Sequence, residues 1–253
     1  MLNFILHGAP GAQPPLVIAH GLFGSGRNWG VIARRLAEDR PVIAVDMRNH
    51  GDSPFLASHS YADLAADLAE VIAAHGGQAD VLGHSMGGKA AMQLALTQPD
   101  RVRRLIVADI APVAYGHSQN HLIAAMQAMD LTGLVSRSEA DQLLGQAITD
   151  PALRAFLLQS LDLRADPVRW KFNLEVLKAE MDAITGWPCT AGRFDGPALF
   201  VTGALSDYVR PEHRAGIVAQ FPQARFTELE GAGHWLHAER PREFEAALRD
   251  FLA

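Results

Sequence analysis

The pentapeptide Gly83-His84-Ser85-Met86-Gly87 sets a serine between two glycines. A buried-looking strand, Ala79-Asp80-Val81-Leu82, precedes it, and a helical run, Gly88 to Thr97, follows. G-x-S-x-G at a strand-to-helix turn is the pattern of a nucleophile elbow, in which a strained bend lifts a serine hydroxyl clear of the sheet. Gly83 and Gly87 have a steric duty there, because a side chain at either position would meet the neighbouring strand or helix backbone. A serine hydroxyl is a weak nucleophile by itself and needs a base, a group to orient that base, and donors for the oxyanion.

Each of these has a candidate. The glycine-rich stretch His20-Gly21-Leu22-Phe23-Gly24-Ser25-Gly26 follows an apolar strand, and its backbone can approach a ligand closely. The N–H of Leu22, with that of Phe23 as second choice, is expected to pair with the N–H of Met86 as an oxyanion hole. A plain glycine turn would look the same in sequence, and His20, at the end of a buried strand, reads as a brace for the loop. Among the 11 histidines, His234 lies in a glycine-flanked loop after the last strand, from which it can reach back over the elbow. His237 is the rival base, and His84, inside the elbow, is expected to point away from the pocket. Phe23 and Trp235 are the expected substrate-contacting side chains.

The elements that must carry these groups alternate. Asn3 to His7 and Leu16 to His20 read as strands on either side of a turn-rich break over residues 8–15. Trp29 to Ala37 has helical spacing, Pro41 to Asp46 reads as a strand, and Ser60 with Asp63 reads as a helix cap. Arg104 to Ile110 is a further buried strand, ending in an acid. The polar loop Met47 to Pro54 is assigned mainly to structure, with Asp46, Arg48 and Asp52 tying it locally. From Val113 to about Gly192 the pattern becomes helical with no convincing strand: His121–Asp130, Glu139–Ile148, Pro151–Leu161 and Val168–Ile184. Its apolar residues, including Met126, Phe156, Trp170 and Phe172, either roof a pocket or pack the insertion onto the core. Strands over Pro197 to Gly203 and Arg225 to Leu229, a helix from Pro211 and a last helix over Pro241 to Leu252 complete the chain. The expected organisation is a core over 1–112 and 193–253 with a helical lid over 113–192.

Composition narrows the function classes. A chain of 253 residues with net charge −6 and no basic cluster longer than Arg101-Val102-Arg103-Arg104 argues against nucleic acid as a partner. The single Cys189 excludes an intrachain disulfide and a cysteine-ligated metal, which fits a reducing compartment such as the cytoplasm. No apolar run approaches the length of a membrane span, and no H-E-x-x-H spacing suggests a metal site.

Serine, then an acid, then histidine is the chain order of the α/β-hydrolases. HGLFGS, DMRNHGDSP, GHSMGGK, DIAPV and GAGHWLHAERP together resemble that superfamily, and within it a branch of small bacterial esterases. The resemblance spans nearly the whole chain and is weakest in the helical insertion. It implies a mostly parallel central sheet flanked by helices, and a lidded serine esterase acting without cofactor on acyl esters or acyl-CoA thioesters. It also frames the choice of acid. In many members the acid follows the strand at Ala198–Thr202, where this chain has Ser206 and, one residue late, Asp207. Asp109 matches the alternative position used in the small-esterase branch, which keeps a serine in the other loop; Asp109 is therefore favoured, with Ser206 in support and Asp207 as the alternative. Lys89 is expected in a structural ion pair or on the helix surface, and Lys89, Arg48 and Arg210 are the cations available to an anionic substrate group. Carbon–carbon bond hydrolases and slow-turnover receptors on the same fold are the rival readings.

Overall fold

The computed structural model describes residues 1–9, 11 and 13–253, so Pro10 and Ala12 of the expected turn-rich break lie outside the described residues. The apolar runs become short strands: β1 (Phe4–His7), β2 (Leu16–Ala19), β3 (Val42–Val45), β4 (Ala79–His84) and β5 (Val102–Ala108). Helices α1 (Gly30–Leu36), α2 (Tyr61–Ala74) and α3 (Met86–Thr97) connect them. α2 begins where the sequence suggests, with Ser60 and Asp63 forming a reciprocal capping box.

After β5 the chain leaves the sheet and forms α4 (Asn120–Ala128), α5 (Arg137–Leu144), α6 (Pro151–Leu158), the two-residue strands β6 (Leu161–Asp162) and β7 (Arg169–Trp170), α7 (Leu174–Ala179) and α8 (Met181–Thr185). It returns through β8 (Ala198–Gly203), α9 (His213–Gln220), β9 (Ala224–Leu229), α10 (Leu236–Glu239) and α11 (Pro241–Leu252).

The central sheet has seven strands in the order β1-β3-β2-β4-β5-β8-β9; β1 pairs antiparallel with β3, and every other pair is parallel. Alternate residues of β2 serve opposite faces, as strand pleating requires: Val17 and Ala19 pack with the α2 and α3 side, and Leu16 and Ile18 with α1 and α11. The chain runs outward from β2 to β3, then crosses back to β4, so the carboxyl ends of β2 and β4 flank the point where strand order reverses. In an open α/β sheet that crevice is where ligands bind. At the opposite end of β4, Asp80 is fully buried and takes Arg40 at 2.7 Å, while Arg40 also donates to Leu252 O at 2.9 Å; that end of the sheet is tied down for stability.

The insertion departs from expectation in two respects: it carries a short strand pair, β6 with β7, where no strand was expected, and one of its helical segments breaks. Val168–Ile184 is not a continuous helix. Its first part, β7, pairs antiparallel with β6, and Lys171–Asn173 pairs with the loop after β3 through Gly51 N–H to Lys171 O at 2.8 Å and Asn173 N–H to Asn49 O at 3.0 Å. The Trp170 indole N–H donates to Met126 O at 3.1 Å, so tertiary contacts override a helical pattern too short to resist them.

Candidate active site

The elbow forms as its sequence dictates. Ser85 has φ 51° and ψ −119°, a region that costs a non-glycine residue about 1–3 kcal/mol and persists only when its surroundings over-determine it. They do so here: Ser85 N–H donates to Ala108 O at 3.1 Å, and its carbonyl accepts the Lys89 N–H at 3.0 Å. A Cβ on Gly83 would lie 2.1 Å from Gly87 O, and one on Gly87 would lie 2.3 Å from Ala19 O, so both glycines are sterically required.

Asp109 follows β5 with φ 51° and is fully buried. Its Oδ2 accepts the Nδ1–H of His234 at 2.7 Å and the hydroxyl of Ser206 at 2.5 Å, and its Oδ1 accepts the Gly203 N–H at 3.1 Å. Both oxygens of this buried carboxylate therefore have a donor, as buried polar groups require. Because Nδ1 carries the proton, Nε2 of a neutral His234 is an acceptor; His234 and Ser85 line the same cavity. Asp207, the alternative acid, is exposed, and His234 has Asp109 as its carboxylate contact.

Other side chains hold His234 from positions that sequence reasoning did not single out. The Tyr208 ring stacks on the imidazole with centroids 3.9 Å apart, and burial together with the Asp109 charge pushes its phenol pKa up, keeping it neutral. His84 does not point away, as expected from sequence; it borders the cavity and donates its Nε2–H to His234 O at 2.8 Å. The only sequence signal for either was proximity to Ser85 and Ser206. His237 is stacked on Trp29 at 4.3 Å, and its Nδ1 is buried without a hydrogen-bond partner among the described residues. Burial and the nearby His234 lower its pKa to about 3.

The loop after β2 is equally constrained. The Met47 N–H donates to His20 Nε2 at 2.9 Å, so the ring proton is on Nδ1 and is donated to Gly21 O at 2.7 Å. Gly24 N–H donates to the same carbonyl at 2.9 Å. In a trans peptide the C=O and the following N–H point in opposite directions, so anchoring Gly21 O in the protein turns the Leu22 N–H the other way. The Phe23 N–H, the second choice for an oxyanion donor, is engaged by His50 Nε2 at 3.2 Å.

Leu22, Phe23, Met86 and Trp235 all line a cavity of about 320 Å³, whose other apolar walls include Leu122, Leu153, Phe156 and Ile184 from the insertion. Trp29 and Trp235 border it, while Trp170 and Trp187 lie in the insertion. Lys89 also lines it, in neither of its expected roles: it is 1% exposed, has no carboxylate partner among the described residues, and donates to Thr185 O at 2.9 Å and Gly186 O at 2.5 Å. Its Nζ lies 4.7 Å from the centre of the Tyr115 ring, and burial lowers its pKa to about 7. Arg48 is tied to Asp67 at 2.6 Å and to Ser58 at 3.1 Å, and Arg210 is exposed beside Glu212. Asp46 accepts from Gly26, Asn3 and Asp52, the loop-tying duty its position suggested. Among the described residues no group of three or more His, Cys, Asp or Glu is placed to hold a metal, and no helix is long and apolar enough to cross a membrane.

The model of the α/β-hydrolase fold family matches residues 14–241. The chain is 42% identical to the esterase YbfF of Escherichia coli over 94% of this chain and 92% of that protein. It is 39% identical to the sn-1-specific diacylglycerol lipase ABHD11 of Mus musculus, over 100% of this chain and 85% of that one. A solved marine microorganism esterase superposes with a TM-score of 0.93 at 38% identity, covering 99% of this chain and 98% of its own. The chain belongs to the α/β-hydrolase fold family.

Proposed function

We propose that this member of the α/β-hydrolase fold family is a serine carboxylesterase that cleaves acyl esters through an acyl-enzyme on Ser85. The observation that carries the reading is the Asp109–His234 hydrogen bond of 2.7 Å, reinforced by Ser206 and set beside a strained serine on a shared cavity. His234 takes the Ser85 proton as the hydroxyl attacks the ester carbonyl, and returns it to the departing alcohol. Asp109 holds the reactive tautomer and stabilises the imidazolium that forms. The N–H groups of Leu22 and Met86 receive the developing oxyanion, and a water then repeats the sequence to release the acid. All of these groups belong to the protein, so the cycle requires no cofactor.

The named relatives support ester hydrolysis, and the apolar walls of the cavity support an acyl group as the bound moiety. The walls that the insertion contributes support a lid role for residues 113–192 over that group. Of the cations considered for a CoA phosphate, Arg48 is held by Asp67, Lys89 by carbonyls of the insertion, and exposed Arg210 sits beside Glu212, which supports the simple ester over the thioester.

The test is hydrolysis of p-nitrophenyl esters from acetate to palmitate by wild type and Ser85→Ala, with acyl-CoA thioesters in parallel. Rapid turnover is expected in wild type, and Ser85→Ala should lower kcat by about 10⁵–10⁶-fold. Equal rates in both proteins would remove Ser85 as nucleophile. Negligible turnover in both would favour a carbon–carbon bond hydrolase or a receptor.

A further inference from the structure

The Phe23 backbone has φ 61°, a left-handed conformation that a bulky aromatic residue rarely adopts, and Phe23 is almost fully buried. Something must hold it there. Its N–H has one acceptor, Nε2 of His50 at 3.2 Å, and that nitrogen can accept only while the ring is neutral with its proton on Nδ1. The opposite side of the ring fixes this tautomer, because Nδ1 lies 2.9 Å from Arg48 O, which can only accept. Burial, with His20 and His59 nearby, holds the His50 pKa well below its ordinary value, so the acceptor persists at neutral pH.

The peptide that His50 grips is next to the one that carries the Leu22 N–H. His20 and Gly24 secure Gly21 O on one side; His50 secures the Phe23 N–H on the other. Two successive peptide planes are thus pinned from the protein side, and the Leu22 N–H between the anchors has one orientation left. His50 is itself located by the insertion. Gly51 N–H to Lys171 O and Asn173 N–H to Asn49 O bracket it in an antiparallel bridge with Phe172. The Phe172 ring lies 5.6 Å from His50 and 5.5 Å from Phe23, centroid to centroid.

We infer that His50 is a positioning residue for the oxyanion hole, holding the Leu22 N–H on target through its bond to the Phe23 N–H, with the insertion strand at Lys171–Asn173 bracing it from behind. The inference rests on the proposed serine-esterase reading, since it assigns His50 an effect on the oxyanion formed at Ser85. His50 is not among the residues that line the cavity. Its removal should therefore weaken transition-state binding and leave ground-state binding in place.

His50→Leu and His50→Gln test it. In both, kcat and KM are measured on p-nitrophenyl hexanoate, and affinities are measured for hexanoate and for a hexyl trifluoromethyl ketone, whose adduct with Ser85 places an anionic oxygen in the hole. Misplacing one donor should lower kcat in His50→Leu by about 10–100-fold, less than deleting the donor outright. The ketone affinity should fall by a similar factor, with KM and hexanoate affinity changed less than about threefold, on the expectation that a remote misalignment affects only transition-state interactions. The amide oxygen of His50→Gln can accept the Phe23 N–H and should restore most of the loss.

A folded His50→Leu with wild-type kcat and ketone affinity overturns the inference, as does an equal loss of ketone and hexanoate binding. Wild type lacking Ser85-dependent turnover instead overturns the proposed function, a pattern that separates the two failures. Should His50→Leu show no cooperative thermal transition, 15N-histidine spectra of wild type decide the matter. A bare Nε2 coupled to the Phe23 amide proton is expected, and a protonated Nε2 overturns the inference.

Discussion

The floor of the site and the insertion proposed as its roof are built by different rules. Beneath the cavity, backbone meets backbone: a Cβ on Gly83, Gly87 or Gly203 would lie 2.1–2.3 Å from a carbonyl oxygen. In the insertion, a Cβ on Gly116 or Gly133 would meet nothing within 4 Å, and Val135 is 78% exposed. The floor leaves no room for an added atom at these positions, which suits the close geometry proposed for Asp109, His234 and Ser85. The roof supplies apolar shape and is fastened by a few polar ties, among them Lys89 to Thr185 O and the Tyr61 hydroxyl to Ile184 O at 2.5 Å.

That contrast breaks first, if it is false, at the acid. Asp109→Asn should reduce kcat by about 10⁴-fold through the wrong imidazole tautomer, while Asp207→Asn stays within about twofold; a near-normal Asp109→Asn would dissolve the proposed triad. Next come the glycines. Urea unfolding should find Gly87→Ala destabilised by about 3 kcal/mol or more, because backbone cannot yield to the new methyl, and Gly116→Ala within about 0.5 kcal/mol. Comparable losses at the two sites would erase the distinction.

Lys89 sharpens the comparison through pH. Its folded pKa of about 7 lies below its ordinary value, so above pH 7 the unfolded chain binds a proton that the folded chain lacks. Stability conferred at this position therefore rises from pH 7 towards pH 10. Between pH 7 and pH 9 the wild type should gain about 2 kcal/mol relative to Lys89→Met, read as the difference between their urea curves at each pH. Identical pH responses would mean that the Lys89 ammonium keeps its hydration in the folded protein. The smallest effect belongs to the roof: Phe156→Ala should move the preferred acyl length and raise KM a fewfold while changing kcat less than about threefold, since it removes binding shared by ground and transition states.

The floor was legible in sequence because each part needs a particular residue type. A G-x-S-x-G turn tolerates little else, and the Ser60–Asp63 cap announces α2 directly. The proposed acid was harder to choose, since Asp109 and Asp207 both end or follow strands; what separates them is the depth of Asp109 and its three donors, which are three-dimensional facts. His50 read as part of a structural loop because its partners lie 27 residues back in the chain and across in the insertion. Lys89 read as a surface or ion-paired residue because lysine almost always is one. The roof was least legible: two-residue strands leave no periodicity, and the apparent helix over Val168–Ile184 yields to pairing with a distant loop.

The four tryptophans fall on both sides of this divide, and their placement makes the protein its own optical instrument. Trp29 and Trp235 border the cavity, with Trp29 stacked on His237. Trp170 and Trp187 sit in the roof, away from that stack. Replacing one pair with phenylalanine leaves a chain whose ultraviolet emission follows occupancy of the cavity, and replacing the other leaves one that follows the cover above it. Chamber and cover can then be watched separately, with no dye attached.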